Sequence, residues 1–210
     1  NKVEAMKSTY AKLKLDCLCM LGGNGSLKTA NLLNEEGLHV IGLPKTIDND
    51  TWGTDRTFGF TSAIDIATKA IDDIKTTASS HGRVFVIEIM GHKVGWIPLY
   101  AGVAGGADVI LIPEVPFDMD NVIAAIERRE RNGGRFAIVV AAEGAITKEE
   151  AAMSKKEYKK LVEQRTSPSI AYDLAKEIEK RSGRETRVAT HGQTQRGGTP
   201  VAKDRHFATQ

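Results

Sequence analysis

Residues 38–50 read LHVIGLPKTIDND. An apolar run, 38–44, ends on a proline and gives way to a lysine, a threonine, an isoleucine, two aspartates and an asparagine. A short apolar run bounded in this way reads as a buried strand, with the polar cluster in the loop that leaves it. Upstream, 16–21 (DCLCML) is a second such run, stopped by Gly22-Gly23-Asn24-Gly25-Ser26. Between the two, a helix is expected from Ser26 to about Glu36, with Gly37 as its stop. Strand, loop, helix and strand in this order imply parallel strands joined by helical crossovers. The near-continuous apolar runs imply a sheet covered on both faces, so the fold class is α/β, with a parallel, Rossmann-like sheet.

The rest of the chain repeats the alternation. Residues 2–14 and 61–79 have helical periodicity, and strands are expected at 84–90, 108–114, 136–144 and 185–192. The small residues of 100–107 suit a tightly packed helix. Asp118 is placed to cap a helix running to Asn132 and ended by Gly133-Gly134. Another helix is expected over about 168–180. Residues 147–165 are rich in Lys and Glu without a long apolar stripe, which predicts a solvated helix or a mobile insertion. Two units are expected, 1–80 and 81–210. No strand precedes the first helix, and the chain stops as DRHFAT begins to read as a helix, so a piece of a longer protein, truncated at both ends, is expected.

The 210 residues hold 29 Lys+Arg against 27 Asp+Glu, and 41% are hydrophobic. The balance gives no reason to expect nucleic acid or a membrane as partner. No apolar run is long enough to span a bilayer. The two cysteines, Cys17 and Cys19, would share one face of a strand, a poor geometry for a mutual disulfide. They read as reduced core residues of a cytoplasmic protein.

In a parallel sheet, ligands bind where loops leave the carboxyl ends of strands, and those loops hold the unusual residues. Gly22-Gly23-Asn24-Gly25-Ser26 lets backbone amides approach a polyphosphate at a helix N-terminus; a Gly-rich turn before a helix is also an ordinary structural device. Asp48 and Asp50 alternate, so an extended loop would present both on one side, as a metal ligand or as a base beside a metal. The same residues also make an Asx-rich turn, and spacing does not separate the two readings. Arg83, Arg187 and Arg196 lie near strand ends, and arginine suits phosphate through its planar fork; each alone reads equally as an ordinary surface charge. Glu143 ends a strand and could accept hydrogen bonds from sugar hydroxyls or cap a helix.

Taken in order, GGNGS, GLPKTIDND, GTDRTFGFTSA, SSHGRV, EIMGHKVG, AGGAD, PEVPF, AAEGA and ETRVATHGQTQRGGTPVAKDR resemble the phosphofructokinase family. The resemblance covers nearly the whole chain and is weakest at 147–165. It implies phosphorylation of fructose 6-phosphate at its 1-hydroxyl, a glycolytic step, with magnesium and with ATP or pyrophosphate as donor. Residues 1–80 would be the remainder of the donor domain, and 81–210 part of the sugar-phosphate domain. Asp48 would be the catalytic base and Asp50 would support the magnesium, with Thr46 on the transferred phosphoryl group. Gly22, Gly23, Asn24, Gly25, Ser26 and Lys45 would meet the donor, with Asn24 also a ligand of the metal through its amide oxygen. Met90, Gly91, His92, Glu143 and Gln193 would line the sugar site, and Arg187 and Arg196 would hold the 6-phosphate. In the family, the counterparts of Arg83 and Arg187 reach across a subunit interface, which implies self-association as a dimer or tetramer.

Three positions depart from the family pattern. Asn24 stands where aspartate is common, His92 where arginine is usual, and Gln193 where histidine or tyrosine is frequent. Asn24 and His92 leave open a catalytically weak homologue that binds the sugar phosphate. Pyrophosphate users usually pair an acidic residue at position 25 with a lysine at 45; this chain pairs Gly25 with Lys45. A carboxylate at 25 would crowd and repel the α-phosphate of a nucleotide, so Gly25 favours ATP. Other kinases with a related glycine loop, acting on NAD or lipids, have no reason to carry QRGG or MGxxxG.

Overall fold

The computed structural model describes residues 2–210. The order is α1 (Lys2–Lys12), β1 (Leu18–Gly22), α2 (Asn24–Glu35), β2 (Val40–Pro44), α3 (Phe60–His81), β3 (Val84–Ile89), α4 (Trp96–Ala104), β4 (Val109–Leu111), α5 (Met119–Arg131), β5 (Ala137–Ala142), α6 (Lys148–Ala151), α7 (Lys155–Gln164), α8 (Ile170–Ser182), β6 (Thr186–Thr190), a 3-10 turn (Gly192–Arg196) and α9 (Ala202–Thr209). All pairings between these strands are parallel. They form two sheets, β1-β2 and β4-β5-β3-β6.

The four-stranded sheet is sealed on both sides. Strand side chains alternate between faces. Val84 and Val86 of β3 join Val139 and Ala141 of β5 against α5 (Val122, Ile126) and α8 (Leu174, Ile178). Ile87 and Ile89 join Ile138 and Val140 against α3 (Ala63, Ala67, Ile71) and α4 (Ile97, Ala101). β5 is buried along its whole length, which accounts for its unbroken apolar sequence. α4 packs as closely as its small residues imply: a Cβ on Gly105, at its C-terminal end, would lie 2.5 Å from Ile71 Cγ2. α3 contributes to this core from Phe60 onward.

β1-β2 is covered differently. α2 lies against both strands, and α1 brings Met6, Tyr10 and Leu13 to an apolar groove shared with Leu18, Met20 and Leu33. Among the described residues nothing covers the opposite face, where Leu21 is 59% and Ile41 53% exposed. Cys17 and Cys19 are reduced, but both are exposed, which corrects their expected place in a core. Cys19 lies on the bare side of the strand, as the alternation with Leu18 and Met20 requires.

β4 is shorter than expected. Asp108, instead of opening the strand, accepts from the Ile138 amide at 2.9 Å and pairs with Arg129 at 3.0 Å. Asp118 caps α5, accepting from the Asp120 amide at 2.9 Å. The charged stretch forms two ordered helices, α6 and α7. Each opens with a capping box, Thr147 with Glu150 and Ser154 with Glu157, and neither buries a residue. Reciprocal caps give such solvated helices the definition their sequence lacks in apolar contacts.

Candidate active site

Two loops leave the carboxyl ends of β1 and β2 side by side. The Lys45 amide donates to the Gly22 carbonyl at 3.0 Å, tying the loop bases together. α2 starts at Asn24 with no side-chain cap and no acidic residue in its first turn, so its leading amides and its dipole are available to an anion. A Cβ at Gly25 would meet nothing within 4 Å; the space beside it is open. Asn24 reaches across to the second loop, where its Nδ2 donates to Asp50 Oδ2 at 2.7 Å and to the Asp50 carbonyl at 3.3 Å.

The second loop is held by groups that sequence reasoning did not single out. Asn49 has a left-handed backbone (φ 55°), which asparagine tolerates better than most residues. Its side chain accepts from the Thr57 amide at 2.8 Å and donates to the Asp55 carbonyl at 3.4 Å. Thr57, 2% exposed, donates its hydroxyl to the Thr46 carbonyl at 2.6 Å. This leaves Thr46 and Asp48 facing each other, with Oγ1 to Oδ2 at 3.4 Å and the Asp48 amide to Oγ1 at 3.3 Å.

Asp48 is half-buried, and that burial is the first cause that lifts its carboxyl above the ordinary range. The Asp50 carboxylate lifts it further, the Arg196 guanidinium opposes, Glu143 adds to the rise and His92 subtracts. Groups from four loops, Asp50, His92, Glu143 and Arg196, thus lie within the field of one carboxylate.

Glu143, one residue past β5, accepts at Oε1 from the His92 amide at 2.6 Å and the Gly91 amide at 3.3 Å. The 90–95 turn is tight. A Cβ on Gly91 would sit 2.4 Å from the Val94 carbonyl oxygen, and His92 takes a positive φ of 53°, a strained choice for a non-glycine residue. Met90 is buried; its amide donates to Gln195 Oε1 at 3.2 Å, and Gln195 is itself 1% exposed. Gln193 and Arg196 are exposed on the same 3-10 turn.

Arg83 and Arg187 do not join this group. Arg83 Nε lies 2.6 Å from Glu185 Oε2, and Arg187 pairs with the other oxygen of the same carboxylate. Both arginines are near the amino ends of β3 and β6, where Arg187 is in register with Phe85. The length of β3, about 16 Å at 3.3 Å per residue, separates that edge from Met90.

Among the described residues no group of three or more His, Cys, Asp or Glu could hold a metal ion. Asp50 alone still fits magnesium, which takes one or two carboxylates and draws its other ligands from phosphates and water. Asn24, whose Nδ2 faces the Asp50 carboxylate, is placed to orient that carboxylate.

The phosphofructokinase family model matches residues 1–210. An ATP-dependent 6-phosphofructokinase of Spirochaeta thermophila is 56% identical over 210 residues, which is 100% of this chain and 57% of that protein. A pyrophosphate–fructose 6-phosphate 1-phosphotransferase of Amycolatopsis methanolica is 45% identical over 209 residues, 99% of this chain and 61% of that protein. The phosphofructokinase structure from Saccharomyces cerevisiae superposes with a TM-score of 0.81 at 36% identity, over 95% of this chain and 28% of that one. The chain therefore spans between 57% and 61% of these two curated relatives.

Proposed function

Since the chain belongs to the phosphofructokinase family, we propose that the whole protein transfers the γ-phosphoryl group of ATP to the 1-hydroxyl of fructose 6-phosphate. The observation that carries this reading is the setting of Asp48: half-buried, held by Thr46, beside Asp50 and within the field of Arg196. Burial raises its proton affinity and so makes it a better base. Asp48 takes the hydroxyl proton as the new oxygen–phosphorus bond forms and the bond to the departing ADP oxygen breaks. Thr46 contacts the phosphoryl group in transfer, and the open amides of α2 receive the donor phosphates together with Gly22, Gly23, Gly25, Ser26 and Lys45. Asp50, held by Asn24, would be the protein ligand of magnesium, which would neutralise phosphate charge.

On the acceptor side, Arg196 binds the 6-phosphate. Glu143, its Oε1 anchored by two backbone amides, presents its carboxylate to the sugar hydroxyls beside Gly91, His92 and Gln193, with Met90 behind them. Arg83 and Arg187, at the far edge of the sheet, serve the sugar site of a neighbouring subunit in a dimer or tetramer. No described helix is long and apolar enough to cross a membrane, and we place the protein in the cytoplasm.

Pyrophosphate is the second reading, and Lys45 is the reason for it: an exposed ammonium beside the glycine loop suits a compact polyanion. A relative at 45% identity carries the pyrophosphate name, whereas relatives at 56%, 47% and 46% carry the ATP name, so similarity supports ATP as the first reading. The open space at Gly25 favours ATP. Turnover of fructose 6-phosphate by the full-length protein, with ATP and with pyrophosphate at saturation, tests the proposal. Faster turnover with ATP is expected. Faster turnover with pyrophosphate overturns the donor, and sugar-phosphate binding without turnover by either donor overturns the kinase.

A further inference from the structure

We propose that Ser62 and Asp204 are positioning residues, a clamp that fixes where Arg196 stands relative to Asp48. The proposal rests on the reading of Arg196 as the partner of the sugar 6-phosphate. Asp204, in α9, is 6% exposed. Its Oδ2 accepts from the Ser62 amide at 2.8 Å and from the Ser62 hydroxyl at 2.5 Å. That hydroxyl oxygen in turn accepts from the Val201 amide at 3.1 Å. Ser62 lies in the first turn of α3, where amides lack helical partners and a carboxylate is favoured by the dipole. One serine thus joins the start of α3 to the segment that follows Arg196.

The start of α3 is also the end of the catalytic loop. The Phe58 amide donates to the Pro44 carbonyl at 2.9 Å, Lys45 bridges Phe58, and Thr57 holds the Thr46 carbonyl. Ser62 follows on the same rigid run. On the other side, Arg196 lies between two anchors: Gln195, bound to the Met90 amide, and Val201, bound to Ser62. The span 196–200 is exposed and contains Gly197 and Gly198, the latter with φ 81°. Glycines of this kind leave a segment many conformations unless its ends are pinned. With the second anchor gone, Arg196 would keep its charge and lose its place.

Asp204 Oδ1 is buried and has no hydrogen-bond partner. A carboxylate held this way costs stability that an apolar side chain would not. That cost fits a residue retained for position.

In the full-length protein, Ser62→Ala is expected to raise the KM for fructose 6-phosphate about tenfold, as for the loss of one hydrogen bond, and to leave the KM for ATP unchanged. Ser62→Thr, which keeps the hydroxyl, restores the sugar KM. Combining Ser62→Ala with Arg196→Ala is expected to be no worse than Arg196→Ala alone, because both act through one group. Effects that multiply, or a lowered melting temperature with an unchanged KM ratio, would overturn the clamp and leave Ser62 a structural residue. Should Ser62→Ala not fold, Asp204→Asn, close in volume, carries the same comparison. An unchanged sugar KM in Arg196→Ala would overturn the 6-phosphate reading itself, and the clamp with it.

Discussion

Arg196, past the end of β6, and Arg187, near the start of that strand, meet different company. Arg196, past the carboxyl end of β6, is close enough to Asp48 to pull its proton affinity down. Arg187, near the amino end, shares Glu185 with Arg83. In a parallel sheet the two edges are chemically distinct: loops with free backbone amides gather at one, and the starts of strands at the other. An arginine past the carboxyl edge can serve its own subunit's chemistry. One at the amino edge, about a strand's length away, serves a phosphate only if another subunit brings it there.

Among changes of specificity, the largest effect expected from disturbing the carboxyl edge is on the donor. Gly25→Asp places a like charge about 4 Å from a nucleotide α-phosphate, a repulsion of roughly 1–4 kcal/mol between bulk water and a partly screened site. The ratio of kcat/KM for ATP to that for pyrophosphate should fall by about one to three decades. An unchanged ratio would detach Gly25 from donor choice.

Arg196→Ala should raise the KM for fructose 6-phosphate about a hundredfold, the loss of a charge-assisted hydrogen bond or two, with the donor KM nearly constant. Parallel rises in both would remove the distinction between the edges. Subunit mixing sharpens it. If Arg187 works across an interface, mixing Asp48→Asn and Arg187→Ala subunits rebuilds intact sites, about a quarter of all sites for random pairing in a two-fold assembly. Mixing Asp48→Asn with Arg196→Ala rebuilds none, because both groups belong to one subunit. Equal recovery in the two mixtures would show that the arginines are not divided in this way.

The smallest effect is on stability. The Asp48 carboxyl is raised in the fold, by burial first and by Asp50 second, so folding favours its protonated form. That contribution is present below the ordinary carboxylate pKa and is lost as pH rises through the raised one. Asp48→Asn, neutral throughout, should therefore melt above the parent protein at neutral pH, and the gap should close in acid. A gap that persists in acid would point to packing rather than charge.

How much of this was readable from the chain differs between the edges. The glycine loop and TIDND stand next to apolar runs, so their place at carboxyl ends follows from strand–loop–helix order alone. The partners that hold them do not: Thr57 and Gln195 are ordinary polar residues whose value comes from contacts made far along the chain. The resemblance placed Arg83 and Arg187 in the sugar site without showing that Glu185 gathers them at the opposite edge. The cysteines misled for another reason. An apolar run predicts burial on both faces, but β1 is covered on one, and Cys19 lies on the other. The 147–165 helices were ambiguous because their order comes from capping boxes rather than from an apolar stripe.

The most direct test of phosphoryl transfer at this edge is the turnover of full-length Asp48→Asn with ATP and fructose 6-phosphate, measured alongside sugar-phosphate affinity. The account predicts a fall in kcat of roughly 10²- to 10⁴-fold, the usual worth of a general base, with affinity nearly unchanged. A near-normal kcat would contradict it.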